Sequence, residues 1–301
     1  MGGGNMSWSK AELADFLDLQ QFLMKHEALC VGFSAWLKDK IISTPHIRND
    51  FTVFIRRNKK RIAGEDAISE AVLITEQGLI FPLVKKRIPG RVHNLSELSR
   101  CIQTFPNNLN SVIGVSNSVD IIEKLVKQTV RSRVQYFLMV TKGFPKNLKT
   151  PASIRGVTIR DAEITDALLL FDLQKNYELE EVYLNPETFN ETACYANLKN
   201  SLRKEIIIFA QRNGNPIAKV GTNARGYNMF QIGGVFTRPQ ERRKGLSFLL
   251  MYELLKRMFK DGKKACLFVK KTNEAAIKLY QKLGFDIIDN FRITYFKNKD
   301  V

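Results

Sequence analysis

The part of the sequence most suited to chemistry is a short basic loop, Arg242-Arg243-Lys244-Gly245-Leu246-Ser247, between a predicted strand and a predicted helix. The strand is expected to end at Thr237 and the helix to begin near Gly245, which leaves several backbone N–H groups without helical partners. These groups and the positive end of the helix dipole favour a bound diphosphate. Gly245 has no Cβ, so the phosphates can approach closely. An ordinary basic helix start is the alternative interpretation.

A second segment, Asn273–Phe285, spans the next predicted helix from its start to its end. Asn273 is a good residue to cap that helix, and Gly284 is a typical helix stop. The helical spacing puts Tyr280 on the face that packs inward. Taken alone, such a tyrosine would more simply be an interfacial aromatic whose hydroxyl finds a partner.

Together, the two segments resemble the GNAT superfamily of N-acetyltransferases. The family's loop, Arg/Gln-x-x-Gly-x-Gly/Ala, matches Arg242, Gly245 and Ser247, with serine where glycine or alanine is usual. Its second motif, Asn-x-x-Ala-x-x-x-Tyr-x-x-x-Gly-Phe, matches Asn273, Ala276, Tyr280, Gly284 and Phe285. The resemblance covers residues 153–297 and implies an α/β (α+β) domain at 153–301. Its fold would be a mixed, mostly antiparallel sheet with helices on both faces.

The resemblance also implies a co-substrate, acetyl-CoA, and roles for individual residues. The backbone of Val235, Phe236 and Thr237 would pair with the pantetheine arm, and Gly233-Gly234 would suit a bulge before them. Asn273 would contact pantetheine, and Tyr280 would protonate the departing thiolate. The cofactor's diphosphate would be held by Arg242, Arg243, Lys244, Gly245, Leu246, Ser247 and Phe248.

An acidic cluster follows the first helix of the same domain at Glu178, Glu180 and Glu181. GNAT enzymes often place substrate-binding loops here, so the cluster could attract a cationic amine in an otherwise basic chain. Glu180 and Glu181 are therefore candidate catalytic residues that accept the proton of the amine. A solvated helix end is the alternative interpretation.

The chain of 301 residues is long enough for two domains of about 150 residues each. Pro, Gly and short polar residues at 143–151 predict the boundary, with an N-terminal α/β domain at 1–150. In that domain, 111–126 repeats a strand-loop-helix plan without the Arg-x-x-Gly loop. The layout resembles bacterial two-domain GNAT proteins whose N-terminal domain is a degenerate GNAT lobe. Asn117 and Ser118 could bind an anion there, although a plain helix cap is the simpler interpretation.

Hydrophobic periodicity predicts the positions of the elements. In the N-terminal half, we expect a helix over 8–40, strands at 51–55, 71–75, 79–84, 111–115 and 134–140, and a helix over 118–126. In the C-terminal half, strands are expected at 157–160, 206–211, 216–220, 229–237, 266–269 and 291–296. Helices are expected there at 164–177, 190–202, 245–260 and 273–283.

Composition sets outer limits on function. The formal charge of +17 attracts polyanions, but no RNA-recognition pattern supports a nucleic-acid partner, and we expect none. The three histidines and four cysteines are scattered, which predicts neither a metal site nor disulfides and fits a reducing cytoplasm. We expect no membrane span, because no run of 18 apolar residues occurs, and no signal peptide.

These observations predict an acyltransferase that moves an acetyl group from acetyl-CoA to an amine. The alternative is a CoA-binding sensor or scaffold that has lost catalysis, since the serine at 247 and the unassigned base leave room for it. A basic nucleic-acid-binding protein rests on charge alone. The amine acceptor cannot be identified, and both a monomer and a homodimer stay open.

Overall fold

The computed structural model describes residues 7–43, 50–58, 67–85, 95–105, 108–141, 143–144, 151–183 and 185–297. The chain forms two compact units, of which the first contains Met1–Leu138, Val269–Thr272 and Ile287–Val301. The second contains Met139–Phe268 and Asn273–Asp286. The predicted linker at 143–151 lies largely outside the described residues, so the domains at 1–150 and 153–301 stay a prediction.

The first unit is built around a mixed sheet that runs in the order β1-β2-β3-β4-β5-β12-β6. Most neighbours are antiparallel, whereas β4 and β5 are parallel. The last strand of the chain joins this sheet and pairs with β5, from Phe291 opposite Val115 to Tyr295 opposite Ser111. The elements are β1 (Trp8–Lys10), α1 (Phe16–Lys25), α2 (Glu27–Ser43), β2 (Phe51–Arg57), β3 (Ile68–Thr75), β4 (Leu79–Leu83), α3 (Leu95–Gln103), β5 (Ser111–Val115), α4 (Ser116–Leu125), β6 (Val130–Thr141, as far as Leu138) and β12 (Phe285–Phe296, from Ile287).

The second unit has the sheet order β7-β8-β9-β10-β11, in which β10 and β11 are parallel and the other neighbours antiparallel. This is the predicted mixed, mostly antiparallel sheet. Its elements are β7 (Thr158–Asp161), α5 (Ala167–Tyr177), α6 (Glu191–Lys204), β8 (Ile207–Arg212), β9 (Asn215–Arg225), β10 (Met229–Thr237), α7 (Leu246–Lys260), β11 (Lys264–Lys270, as far as Phe268) and α8 (Glu274–Lys282).

Helices cover both faces of the second sheet. Ile207 and Phe209 of β8 pack under α5 and α6, and the side chain between them, Ile208, is also fully buried. Because side chains alternate along a strand, Ile208 points to the opposite face, where α7 packs on β8 and β9. The four residues of α7 predicted to form its apolar face are all buried: Leu246, Leu250, Leu254 and Met258.

The two units begin with the same local structure. Ala11-Glu12-Leu13-Ala14-Asp15 and Ala162-Glu163-Ile164-Thr165-Asp166 each form a 3-10 turn with a capping box before the first helix. In each, the aspartate accepts a hydrogen bond from the glutamate N–H, at 2.8 Å in the first unit and 2.9 Å in the second. Each aspartate is also paired with an arginine on a strand of the sheet, Arg57 and Arg160 respectively. The shared segment supports the predicted GNAT-like plan of the N-terminal half.

For the N-terminal half, one prediction is wrong in detail and one helix was missed. The predicted helix over 8–40 begins too early, because Trp8–Lys10 is a strand that pairs with β2 and buries Trp8. Tertiary pairing outweighs the local pattern there. Helix α3 was not predicted, although Leu98 and Ile102 are buried on one face of it.

Candidate functional site

The site is built on β10, which carries a bulge at the predicted position. Between Gly233 and Phe236 the register with β9 shifts, so that one extra residue lies in β10. Gly234 has a φ of 61°, a conformation that favours glycine. At Gly233, a Cβ would lie only 2.0 Å from the side chain of Asn223. The backbone conformation therefore favours glycine at 234, and a side chain at 233 would have to displace that of Asn223.

From the bulge onward, β10 is separated from β11. The described residues of the two strands pair from Met229 opposite Lys264 to Ile232 opposite Leu267 and no further, although β10 runs on to Thr237. Within the described residues, the stretch of β10 from Gly233 to Thr237 is therefore not paired with β11. The side chains of Phe236 and Thr237 are buried, so these two residues can offer a ligand only their backbone.

The loop between β10 and α7 has two residues in the left-handed region. Arg243 has a φ of 62° and Gly245 a φ of 82°. Left-handed residues in such a turn can point neighbouring N–H groups to one side, where an anion can bind them. A Cβ added at Gly245 would meet no atom within 4 Å among the described residues, so the space in front of the loop is open.

Helix α7 starts with free amides. Its first helical hydrogen bond runs from the Leu249 N–H to the Gly245 carbonyl, at 3.0 Å, which leaves the N–H groups of residues 246–248 without helical partners. The N-cap residue is Gly245, which has no side chain that could cap these N–H groups. The Leu246 side chain is buried, so this residue can serve a ligand only through its backbone.

Ser247, the departure from the family pattern, is bound inward. Its hydroxyl lies 2.9 Å from that of Thr237, and the two form a hydrogen bond that ties the start of α7 to the end of β10. The next residue, Phe248, is half-buried, and its ring lies 4.9 Å from the Lys282 ammonium. The Ser247 hydroxyl is therefore held against Thr237 and does not occupy the space in front of the loop.

The three basic side chains of the loop have different surroundings. Arg242 donates two hydrogen bonds to the Glu180 carboxylate, at 2.9 and 2.6 Å, and one to the Thr237 carbonyl. Lys244 forms an exposed ion pair with Glu241 at 3.2 Å. Arg243 is exposed. The structure therefore brings Arg242 and Glu180 together, two residues that the sequence placed in different roles.

Helix α8 carries the second motif next to Glu181. Asn273 caps the helix as predicted, since its Oδ1 accepts a hydrogen bond of 3.1 Å from the Ala276 N–H. Its Nδ2 donates to Glu181 at 3.2 Å. Tyr280 is buried, and its pKa is raised, first by that burial and then by the nearby Tyr177 and Glu181. Asn273, Tyr280 and Glu181 therefore lie together.

Comparison with known proteins identifies this arrangement. The model of the acetyltransferase (GNAT) family matches residues 170–285, a range that contains the loop, the bulge and helix α8. This part of the chain is a GNAT domain. A sequence comparison with curated proteins finds no match.

Several solved structures are similar in fold to the whole chain, and one of those that follow is a tandem GNAT protein. A Drosophila protein matches with a TM-score of 0.66 at 16% identity, covering 98% of this chain and 99% of its own. A tandem GNAT protein from the clavulanic acid biosynthesis pathway has a TM-score of 0.56 at 12% identity, covering 98% and 99%. A GNAT acetyltransferase from Colwellia psychrerythraea has a TM-score of 0.55 at 12% identity, covering 97% and 100%. At these identities the likeness shows the fold alone.

The acidic segment of the GNAT domain is a π-helical turn at Glu178–Val182, in which the Tyr183 N–H donates to the Glu178 carbonyl. Such turns are frequent at functional sites. The turn sends its glutamates in different directions, because Glu178 is buried and accepts a hydrogen bond of 2.8 Å from Gln174, whereas Glu180 is exposed. The three glutamates are thus not one solvated face.

The sequence missed two residues at the bulge, Tyr177 and Lys219. Lys219 is buried with its ammonium donating to the Gly234 carbonyl at 3.1 Å and lying 4.7 Å from the centre of the Tyr177 ring. Lys219 could have been noticed in the sequence, because it is a lysine inside the apolar run Pro216-Ile-Ala-Lys-Val220 of a predicted strand. A charge in the middle of such a run is rare unless it has a partner.

Two other classes of site find no support in the described residues. They contain no group of three or more His, Cys, Asp or Glu side chains that could hold a metal ion. Over the same residues, none of the helices has both the length and the apolar character to cross a membrane. At the helix α4 start in the N-terminal unit, Ser118 is buried and its hydroxyl bonds to the Val84 backbone, which favours the structural interpretation of that residue.

Proposed function

We propose that the GNAT domain is an N-acetyltransferase that transfers the acetyl group of acetyl-CoA directly to an amine. One observation carries the proposal. The loop at Arg243–Gly245, which contains two left-handed residues, leaves the first N–H groups of helix α7 facing open space. This loop directly follows β10, the strand that has separated from β11. A diphosphate fits the amides, and an extended amide-bearing arm fits the exposed strand edge.

Each cofactor-binding residue has a role in this proposal. The backbone of residues 243–248 holds the diphosphate, while the Arg243 and Lys244 side chains add positive charge. The backbone of Val235, Phe236 and Thr237 pairs with pantetheine. Asn273 orients the arm near its acyl end. Arg242 contributes by holding the loop, because its guanidinium already binds Glu180 and the Thr237 carbonyl.

The chemistry needs a proton acceptor for the amine and a proton donor for the leaving sulfur. As the amine nitrogen bonds to the acyl carbon and the carbon–sulfur bond breaks, Tyr280 donates its proton to the thiolate. Its raised pKa keeps it protonated until that step. Glu181 receives the amine proton, directly or through water. We prefer it to Glu180, because Glu181 lies beside Tyr280 and Asn273, whereas Glu180 binds Arg242.

The acceptor is an amine of open identity: a small polyamine or amino acid, an aminoacyl group, a lysine or a protein N-terminus. The free thiols of Cys30, Cys101, Cys194 and Cys266 support a reducing compartment, and we place the reaction in the cytoplasm.

Calorimetric titration with acetyl-CoA and thiol release over an amine panel test the proposal. We expect binding, and turnover with at least one amine. Tyr280→Phe should lower kcat by about 10²- to 10⁴-fold and leave the Kd of CoA nearly unchanged. Tyr252→Phe is the matched control, since Tyr252 is a buried tyrosine of α7 outside the site. Equal losses of turnover and CoA affinity in Tyr280→Phe would contradict the role of that residue.

A CoA-binding sensor would bind the cofactor but release no thiol with any amine. Absence of CoA binding would remove the whole proposal, because no other observation in this domain then points to a ligand.

A further inference from the structure

At the bulge in β10, Gly234 leaves the pairing with β9, and two side chains from outside the strand bind its carbonyl and its N–H, which belong to successive peptide groups. The Lys219 ammonium, from β9, donates to the Gly234 carbonyl at 3.1 Å. Burial raises the pKa of Tyr177, at the end of α5, and a hydrogen bond between its phenol oxygen and the Gly234 backbone partly opposes that rise. Only a donor to the phenol oxygen lowers that pKa, so the backbone N–H is the partner.

The fit of Lys219 against the Gly234 backbone is close. A Cβ at Gly234 would lie 2.9 Å from the Lys219 nitrogen, so the ammonium occupies the space of a missing side chain. The side chain is buried, with the Tyr177 ring on one side. A buried ammonium is unfavourable unless it is well bound, and a packed apolar residue would fill the same space without that penalty. A charge at this position therefore points to a use beyond packing.

We propose that Lys219 is a positioning residue, which fixes the Gly234 peptide and with it the opening of β10 that receives the thioester end of acetyl-CoA. The inference rests on the proposed function. Without the ammonium, the Gly234 carbonyl would lose its partner, and the peptide would rotate to find another. The following residues, Val235–Thr237, would then lose the alignment needed to pair with pantetheine.

The surroundings of Lys219 make this role depend on pH. Burial lowers the pKa of the ammonium to about 8, although Glu178 and the Cys194 thiol oppose that shift. The groups that face it are Tyr177 and Glu178 at the end of α5 and Cys194 on α6. The pKa of Tyr177 and that of Cys194 are both raised to about 12, first by burial, so neither loses its proton near pH 8. Lys219 is charged below pH 8 and becomes a weaker, neutral donor above it.

The experiment measures the Kd of acetyl-CoA for the full chain from about pH 7 to about pH 9, with circular dichroism at each pH. For the wild-type protein, we expect the Kd to rise roughly tenfold across this range as the charge-assisted bond is lost. Lys219→Met should show a Kd raised roughly tenfold already at neutral pH, with little further change. Lys263→Met is the matched control, because Lys263 also donates to a backbone carbonyl, that of Tyr227, at 2.8 Å but away from the bulge.

Each outcome separates the two proposals. If the wild-type protein fails to bind acetyl-CoA, the proposed function is wrong. If it binds but its Kd is constant with pH, or if Lys219→Met keeps the wild-type Kd and pH dependence, only the role of Lys219 is overturned. Should Lys219→Met fail to fold, the wild-type pH dependence decides, together with Tyr177→Phe, which removes the other partner of the Gly234 backbone and should also raise the Kd.

Discussion

Glu180 and Glu181 are neighbours in sequence, yet the π-helical turn gives them different partners. Glu180 holds Arg242, and Glu181 accepts from Asn273 near Tyr280. We predict that Glu181→Gln lowers kcat by about 100-fold or more, because the amide cannot accept the amine proton. Glu180→Gln should change kcat less than about threefold, because its ion pair with Arg242 is exposed.

Steady-state kinetics with a single amine acceptor measures this difference, with both variants at the same acetyl-CoA concentration. Glu180→Gln is the matched control, since both substitutions remove one carboxylate from the same turn. A larger loss of kcat in Glu180→Gln than in Glu181→Gln would mean that Glu180, and not Glu181, accepts the amine proton.

Local sequence was enough to propose some residues of the candidate site and not others. Asn273, Gly245 and Tyr280 could be proposed because each belongs to a motif within one loop or helix. Lys219 and Tyr177 were not, because their importance depends on meeting Gly234 across two elements far apart in sequence. The pairing of Arg242 with Glu180 has the same origin, since no local pattern joins the loop to the π-helical turn.

The glycine at the start of α7 permits a test with an internal control. Gly245 and Gly214 have φ values of 82° and 79°, and a Cβ at either would meet no described atom within 4 Å. Alanine at each should therefore lower the free energy of unfolding by a similar amount, about 1–2 kcal/mol. Only Gly245→Ala should also raise the Kd of CoA, by roughly tenfold or more, because its methyl group enters the space where phosphates would lie.

Thermal or urea unfolding gives the first quantity and calorimetric titration the second. Equal CoA affinities in Gly245→Ala and Gly214→Ala would mean that the loop before α7 does not face the diphosphate.

The capping box before α5 makes the stability of the protein depend on pH. Asp166 accepts two hydrogen bonds from Arg160 and one from the Glu163 N–H. The Arg160 bond is the main cause that lowers the pKa of Asp166, and burial opposes it. A lowered carboxyl pKa contributes stability above its unfolded value, near pH 4, which is lost as pH falls through the folded value.

We therefore expect Asp166→Asn to lower the free energy of unfolding by about 1–2 kcal/mol at neutral pH. The difference from wild type should shrink below about pH 4, where the wild-type carboxyl also takes a proton. Urea unfolding at several pH values measures it. Asp172→Asn removes an exposed ion pair with Arg238 and should change stability by less than about 0.5 kcal/mol. A difference that grows with acid would contradict the sign of the Asp166 shift.

For helices and strands, hydrophobic periodicity predicted the position best where a whole element buries one face. Helix α7 shows a regular apolar row, and its predicted and observed limits nearly coincide. Strand β1, with three residues, is too short to show any period, and only its pairing with β2 defines it. The repeat of Ala-Glu-x-x-Asp at Ala11 and Ala162 is visible in the sequence, but its first copy lies inside the segment 8–40 that was assigned to one long helix.

The two units share an arrangement of strands and helices, but the first unit lacks the sequence motifs of the second. Asn117 follows β5 as Asn273 follows β11, and seven residues further on the first unit has Lys124 where the second has Tyr280. Lysine cannot act as the proposed phenol, so we expect acetyl transfer to depend on the second unit. Lys124→Met should therefore leave kcat unchanged, in contrast to Tyr280→Phe, and a comparable loss would show that the first unit takes part.

Strand β12 makes the first unit depend on the end of the chain. It pairs with β5 inside that unit's sheet and buries Phe291 and Phe296. We predict that removal of 287–301 exposes β5 and unfolds the first unit, since two buried phenylalanines and a ladder of backbone hydrogen bonds are lost. Amide hydrogen exchange should show that Ser111–Val115 loses its protection.

Removal of 298–301 alone is the control, because β12 ends at Phe296. Unchanged exchange in Ser111–Val115 after removal of 287–301 would mean that the first unit is stable without the last strand.

This connectivity also bears on biosynthesis. A ribosome makes the β1–β5 segment before the whole second unit, yet β12, the partner strand of β5, comes after that unit in the sequence. Domains usually fold as they emerge, the N-terminal one first. Here a nascent chain holds an open edge at β5 while the second unit is synthesised, so the first unit is begun before the second and completed after it.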